Sequence, residues 1–297
     1  MLGKLTVENL VVELEKELYV ADQELATALF LAIAIKKPLL IEGEPGCGKT
    51  EIAKVLAKIL NTELIRLQCY EGLDASDAIY EWNYPRQLLY IKMIEASKSP
   101  QEVEEEIFSE KYLLKRPLLK AITYDGPRPP VLLIDEIDRA DEEFEGFLLE
   151  FLAEYQVTIP ELGTIKAKVE PITILTSNRT REIGDGLKRR CLYLYISYPS
   201  KEKELRILKL KVKDLDQTVS EKIVNFVNLI RSRNDIMKKP GVAETLDWAR
   251  ALSMMNVKDL DKKVVLGTLP CILKTQEDLM RLDIDIMLNQ IGVGKGV

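Results

Sequence analysis

Leu39-Leu40-Ile41-Glu42-Gly43-Glu44-Pro45-Gly46-Cys47-Gly48-Lys49-Thr50 decides how this chain is read. The stretch holds G-x-x-x-x-G-K-T between Gly43 and Thr50. An apolar run, Pro38 to Ile41, predicts a strand leading into it. Ile52, Ala53, Val55, Leu56, Ile59 and Leu60 recur at three- and four-residue spacing, which predicts a helix leaving it. Strand, glycine-rich loop and helix in that order make a phosphate-binding loop. Gly43, Gly46 and Gly48 let the backbone turn tightly, so that successive N–H groups face phosphate oxygens. The positive end of the following helix adds to the attraction. Lys49 is placed to reach the β- and γ-phosphates, and Thr50 to ligate Mg²⁺ through its hydroxyl. Glu44, Pro45, Cys47 and Glu51 complete the expected ATP-binding stretch. A glycine-rich turn with a chance lysine is the alternative, and the strand, the helix and Thr50 together weigh against it.

The rest of the composition narrows the chemistry. With 297 residues, the chain has room for one large or two modest domains. Hydrophobic residues make up 46% and charged residues 30%, as in a core-forming protein with a well-charged surface. The net charge of −6 supplies no general field for nucleic acid, which argues against a nucleic-acid partner. The longest apolar run, Leu25 to Ile35, contains Thr27 and is too short for a bilayer span of about 20 residues. Glu8, Glu13, Glu15 and Glu17 interrupt any signal-peptide pattern, so a cytosolic (cytoplasmic) setting is expected. Cysteines at 47, 69, 191 and 271 form no C-x-x-C pair, which suggests neither a disulfide framework nor a zinc site. Histidine is absent, which removes histidine metal ligands and every histidine-based triad. Catalysis must rest on carboxylates, lysine, arginine and a bound metal.

Read in order, residues 1 to about 36 form two helical pieces. Glu63 to Gln68 reads as a second strand. Tyr80 to Tyr90 has aromatic flanks around Asn83-Tyr84-Pro85-Arg86 and reads as a small hairpin, because Pro85 does not fit a helix interior. An irregular loop between two helices fits that stretch equally well. Its tyrosines and Trp82 suggest an exposed surface that docks a client protein; packing on the chain's own surface is the alternative. Residues 91 to 123 read as helical, with Glu102 to Glu106 as a solvated face.

Val131-Leu132-Leu133-Ile134 then runs straight into Asp135-Glu136. Four apolar residues ending in two carboxylates fit a buried parallel strand with its catalytic end in the site. Asp135 is the expected Mg²⁺ ligand and Glu136 the group that polarises water for attack on the γ-phosphate. Gln156 to Ile159 and Thr164 to Lys168 flank Pro160-Glu161-Leu162-Gly163 as a second hairpin. Ile172 to Thr176 forms a fourth strand ending at Ser177-Asn178, where Asn178 can hold the attacking water or simply form a turn. Cys191 to Ile196 reads as a fifth strand, preceded by Lys188-Arg189-Arg190. One of these cations can serve a neighbouring subunit's nucleotide as an arginine finger, or the three can form a solvated turn. After Pro199 strands stop and helical patterns continue to about 290. Two domains are expected: 1–199, α/β and nucleotide-binding, and 200–297, a helical lid.

These residues together resemble an AAA+ ATPase, and more narrowly the MoxR type with its CoxD-like branch. The resemblance rests on Gly43 to Thr50, Leu67 to Asp74, Ile134 to Ala140, Thr176 to Arg179 and Arg189 to Cys191. It implies an α/β P-loop NTPase fold with a five-stranded parallel sheet in the order 5-1-4-3-2, plus an all-α C-terminal lid. It implies that Tyr80–Tyr90 is an insert within helix 2 and that the Gln156–Lys168 hairpin precedes sensor 1. It makes Asn178 sensor 1 and Arg190 the finger, with Arg189 the close alternative. At sensor 2, where many relatives carry arginine, this chain has Glu244 and Thr245, and Arg250 is the candidate substitute. The resemblance further implies a hexamer acting as a chaperone, often beside a von Willebrand factor A domain partner, with CoxD-like members linked to metalloenzyme maturation. A nucleic-acid motor and a small-molecule kinase are the competing classes. The charge argues against the first. The Asp135-Glu136 pair, Asn178 and Arg190 argue against the second, because they suit water as acceptor.

Overall fold

The computed structural model describes residues 6–94 and 99–292. The expectations for 1–5, 95–98 and 293–297 lie outside the described residues. The chain divides into two compact units. Of the described residues, one takes 6–10, 23–42 and 50–195, and the other takes 11–22, 43–49 and 196–292. Neither unit is a single stretch of sequence, because short earlier segments group with the C-terminal helices. A reading in chain order does not register segments that return.

Among the described residues nine strands form, in chain order: β1 (Leu39–Gly43), β2 (Leu64–Gln68), β3 (Tyr80–Trp82), β4 (Leu113–Lys115), β5 (Val131–Asp135), β6 (Gln156–Ile159), β7 (Gly163–Lys166), β8 (Ile172–Ser177) and β9 (Leu192–Ile196). Five build the main sheet in the order β2-β5-β8-β1-β9. Counting only those five along the chain and reading from the other edge, the order is 5-1-4-3-2. β1, β2, β5 and β8 pair in parallel, with Leu40 opposite Leu175, Ile134 opposite Leu175 and Gln68 opposite Asp135. Every residue of β1 and β5 is buried, as continuous apolar runs require when both sheet faces are covered. Helices Lys49–Leu60 and Glu142–Glu154 follow β1 and β5. The latter starts where the Asp141 carboxylate accepts from the Phe144 N–H at 2.9 Å, which satisfies one of the orphan donors of the first turn. Its apolar stripe, including Phe144, Leu148 and Phe151, enters the core of this unit.

The hairpin of β6 and β7 forms as read, antiparallel, with Val157 opposite Ile165. The hairpin expected at Tyr80–Tyr90 does not. Tyr80–Trp82 is a single strand whose antiparallel partner is β4, with Trp82 opposite Leu113. Residues from Tyr84 to Ile94 are helical. Pro85 is the second residue of that helix, where its missing N–H has no helical partner to lose. β4 interrupts the helical reading of 91–123, which resolves into helices Pro100–Ile107 and Pro117–Ile122 with the strand between.

The docking reading of the aromatics is corrected in part. Trp82 is only 6% exposed and meets Tyr80 and Phe108 edge-on, at centroid distances of 6.0 and 5.3 Å. Tyr84 is 60% exposed on the helix that follows.

In the second unit, helices Lys201–Lys211, Gln217–Ser232 and Val242–Met254 enclose a separate core in which Phe226 packs on Trp248. The Trp248 indole N–H donates to Thr268 Oγ1 at 2.8 Å. Arg231 is buried, and its guanidinium takes both oxygens of buried Glu204, at 2.7 and 2.8 Å, and the Pro240 carbonyl at 2.7 Å. A buried charge is tolerable only with such complete pairing.

Because Trp82 is core and Tyr84 is surface, their substitutions should separate. Trp82→Ala should lower the unfolding free energy by roughly 3–5 kcal/mol. Tyr84→Ser should stay within about 0.5 kcal/mol of wild type. Urea titration followed by circular dichroism checks both, and a silent Trp82→Ala would overturn the structural role.

Candidate functional site

In the first unit the site is built around one buried carboxylate. Asp135 ends β5 and is 1% exposed. The Thr50 hydroxyl donates to its Oδ1 at 2.9 Å, and the Thr176 hydroxyl donates to the same oxygen at 2.5 Å. Arg66, on β2, donates to Oδ2 from Nε at 3.0 Å and from Nη2 at 2.5 Å. Register explains the convergence: Gln68 pairs with Asp135, so β2 delivers polar side chains two residues apart to the end of β5.

Glu136 follows in the left-handed region, at φ 57° and ψ 50°. A non-glycine residue there is uncommon and is held by its surroundings. Its N–H donates to Thr176 Oγ1 at 3.0 Å. Its carboxylate accepts from Gln68 Nε2 at 3.0 Å and from Asn178 Nδ2 and Arg139 Nη1, each at 3.4 Å. Asp138, also buried, accepts from the N–H groups of Asn178 and Thr180 at 3.1 and 2.9 Å and from the Thr180 hydroxyl at 2.6 Å. It therefore fixes the turn that presents Asn178. The structure brings Thr50, Asp135, Glu136 and Asn178 together. Arg66, Gln68, Thr176 and Asp138 were not expected there; the polar positions alternating along β2 were the available signal for the first two.

In the second unit, residues 43–49 form the glycine-rich loop. The Lys49 ammonium is buried and donates to the carbonyls of Gly43 and Glu44 at 2.7 and 2.8 Å. Gly43 has no room for a side chain, since a Cβ would lie 2.0 Å from the Ile196 carbonyl oxygen. Gly46 has φ +72°, and a Cβ there would press on Gly241 Cα and Glu244 Oε2. The N-terminus of the Val242–Met254 helix lies against this loop: the Ala243 N–H donates to the Gly46 carbonyl at 3.2 Å. Glu244 accepts from the Gly241 N–H at 2.9 Å, and Thr245 is buried with its hydroxyl on Glu204. The residues that reach the loop are thus Gly241, Ala243 and Glu244. Arg250 lies two turns further along, exposed and paired with Asp247 at 3.3 Å, so the structure does not bring it to the loop. Arg189 and Arg190 end the exposed helix Asp185–Arg190, and neither has an acidic partner among the described residues.

The donor set beside Thr50 and Asp135 suits a hard divalent cation. Two oxygen donors, one anionic, lie side by side, and Mg²⁺ characteristically takes one or two protein oxygens and fills its remaining positions with water and phosphate.

Residues 38–191 match the AAA domain family, dynein-related subfamily, over more than half of the chain. The chain belongs to that family. Among curated relatives, the gas vesicle ATPase GvpN of Haloferax mediterranei is 25% identical over 240 residues, covering 78% of this chain and 66% of that protein. The chain thus spans just under two thirds of GvpN. An uncharacterised protein of Staphylococcus aureus (strain bovine RF122 / ET3-1) is 25% identical over 259 residues, covering 82% of this chain and 88% of that one. Among solved structures, the RuvB Holliday junction branch migration motor of Thermotoga maritima aligns with 96% of this chain and 82% of its own, at 15% identity and a TM-score of 0.48. The AAA family is one of nucleotide-binding ATPases whose members typically assemble into oligomers. Among the described residues, no helix is long and apolar enough to cross a membrane.

One loop residue has a measurable signature. Burial pushes the Cys47 thiol up to about 11, against the opposing pull of Lys49 and Arg231. Only the thiolate alkylates. At pH 7.5 Cys47 should therefore react with iodoacetamide roughly 10²-fold more slowly than an ordinary thiol, and the rate should climb as pH rises toward 11. Peptide mass spectrometry of timed labelling reads this directly.

Proposed function

We propose that this AAA-family chain is a Mg²⁺-dependent ATPase of the MoxR type that works as a ring of identical subunits, a hexamer, to remodel a client protein. The observation that carries the reading is the Thr50–Asp135 hydrogen bond, with Glu136 beside it on Asn178. Lys49 and Thr50 are consecutive, so the residue that would meet phosphate and the residue that would meet metal sit in the first turn of one helix. In that role Lys49 exchanges its two carbonyl partners for the β- and γ-phosphates. Gly43, Glu44, Pro45, Gly46, Cys47 and Gly48 supply the backbone cradle, and Glu51 follows on the helix. Thr50 and Asp135 would hold Mg²⁺, which neutralises developing phosphate charge when bound. Glu136 accepts the proton of the attacking water, and Asn178 aligns Glu136 and that water.

Arg190, or Arg189 beside it, is the proposed finger for the neighbouring subunit's nucleotide. Its exposure at a helix end and its lack of an acidic partner among the described residues fit a role completed by another copy. The remodelled partner is proposed to be a protein, in keeping with the MoxR resemblance. A von Willebrand factor A domain protein or a metalloenzyme under maturation is the class to look for.

Two measurements test the reading. Lys49→Ala should lose ATP binding. Glu136→Gln should keep it while phosphate release falls about 10²–10⁴-fold, because only proton transfer is removed. Normal turnover by Glu136→Gln would end the assignment. Arg190→Ala should bind ATP but hydrolyse it about 10³-fold more slowly. Mixing it with Lys49→Ala should restore part of the activity, since one subunit then supplies the site and its neighbour the arginine. If mixtures stay inactive and Arg189→Ala is the dead variant, Arg189 is the finger.

A further inference from the structure

Arg66 is the one cation among the described residues that hydrogen-bonds the Asp135 carboxylate. It engages Oδ2 through two nitrogens, Nε at 3.0 Å and Nη2 at 2.5 Å. Oδ1 is taken by the hydroxyls of Thr50 and Thr176. A carboxylate so deeply buried needs this compensation, because an unpaired charge at such depth is costly. The guanidinium contributes positive charge at Oδ2 of the same carboxylate whose Oδ1, beside Thr50, would face the proposed Mg²⁺. The two partners differ in burial: the Asp135 side chain is 2% exposed and that of Arg66 is 47% exposed. Asp135 is fixed by the sheet, whereas Arg66 sits on β2 with solvent beside it and four rotatable bonds by which to leave. Its Nη2 also donates to Gln68 Oε1, whose amide holds Glu136.

We propose that Arg66 is a built-in counter-ion for Asp135, which neutralises the carboxylate in the metal-free protein and competes for its charge with a divalent cation that arrives with nucleotide. The inference rests on the ATPase reading above. It makes Arg66 a positioning residue whose effect is on metal demand. A half-exposed ion pair contributes modestly, so the competition it imposes is a few-fold effect rather than a block.

The test uses the full chain, a fluorescent ATP analogue and a MgCl₂ titration. Arg66→Met should lower the Mg²⁺ concentration at half-maximal nucleotide binding by roughly three- to tenfold. The same variant should melt at a lower temperature than wild type in EDTA, with the deficit narrowing when Mg²⁺ and nucleotide are both added. Arg66→Lys keeps the charge and should stay within about twofold of wild type. If Arg66→Met yields no folded protein, Arg66→Gln reads the same quantity. An unchanged or raised Mg²⁺ requirement in the neutral variants would overturn the proposal, because Arg66 would then support the metal position instead of competing for it. Wild-type protein that binds no nucleotide, or binds it with no dependence on Mg²⁺, would overturn the ATPase reading itself and this inference with it.

Discussion

A single carboxylate buried at the end of β5 constrains the surrounding architecture. Asp135 cannot sit at that depth unless every lone pair it presents is met. The chain meets them from three separate places: Thr50 at the head of the helix after β1, Thr176 near the end of β8, and Arg66 on β2. β2 and β8 neighbour β5, and β1 lies one strand beyond β8 in the sheet order. The topology and the charge are therefore one problem. A sheet with β5 between β2 and β8 is what allows an anion to be placed on the axis of an otherwise apolar layer.

The same logic extends outward through Thr176 and Asp138. Thr176 donates to Asp135 and accepts from the Glu136 N–H, so one hydroxyl joins two functions. That acceptance helps hold Glu136 in its left-handed conformation, which aims the carboxylate toward Asn178 and Gln68. Asp138 in turn ties down the backbone at Asn178 and Thr180. The geometry of the candidate base is thus set by short polar links that lie along strand ends, where side chains from neighbouring strands converge.

What the sequence displays depends on the kind of signal. Continuous apolar runs are legible, so β1, β5 and β8 can be read directly and the glycine-rich loop can be placed between β1 and its helix. Asp135 and Glu136 are legible because two carboxylates after four apolar residues lie downstream of a phosphate-binding loop, without which the pattern is weak. Partners supplied by a neighbouring strand are less legible. Arg66 and Gln68 look like the solvent face of a half-buried strand, and only the register with β5 turns them inward toward the site. The segment from Tyr80 misleads for a different reason. Pro85 and the aromatic residues resemble a turn between strands, yet a proline costs nothing in a helix's first turn, and the strand that pairs with Tyr80–Trp82 lies beyond two intervening helices. Arg250 illustrates a third limit. Spacing along a helix does not say which end of it faces the loop, and here the N-terminal end, with Ala243 and Glu244, does.

The short ribbon of β3 and β4 has a topological consequence. Its two strands leave and rejoin the body of the unit side by side, about 5 Å apart, as antiparallel neighbours do. Trp82 plugs that junction into the core against Phe108 and Tyr80. The described residues between Asn83 and Tyr112 therefore hang from a clasp whose two ends already meet. The entropy of closing such an excursion grows only slowly with its length. Added length in its exposed part therefore costs little, while Phe108 and Tyr112 tie the segment to the core of the unit. The clasp works as a socket: it holds a segment that is anchored by Phe108 and Tyr112 and turns the apolar residues Tyr84, Leu88, Leu89 and Met93 outward.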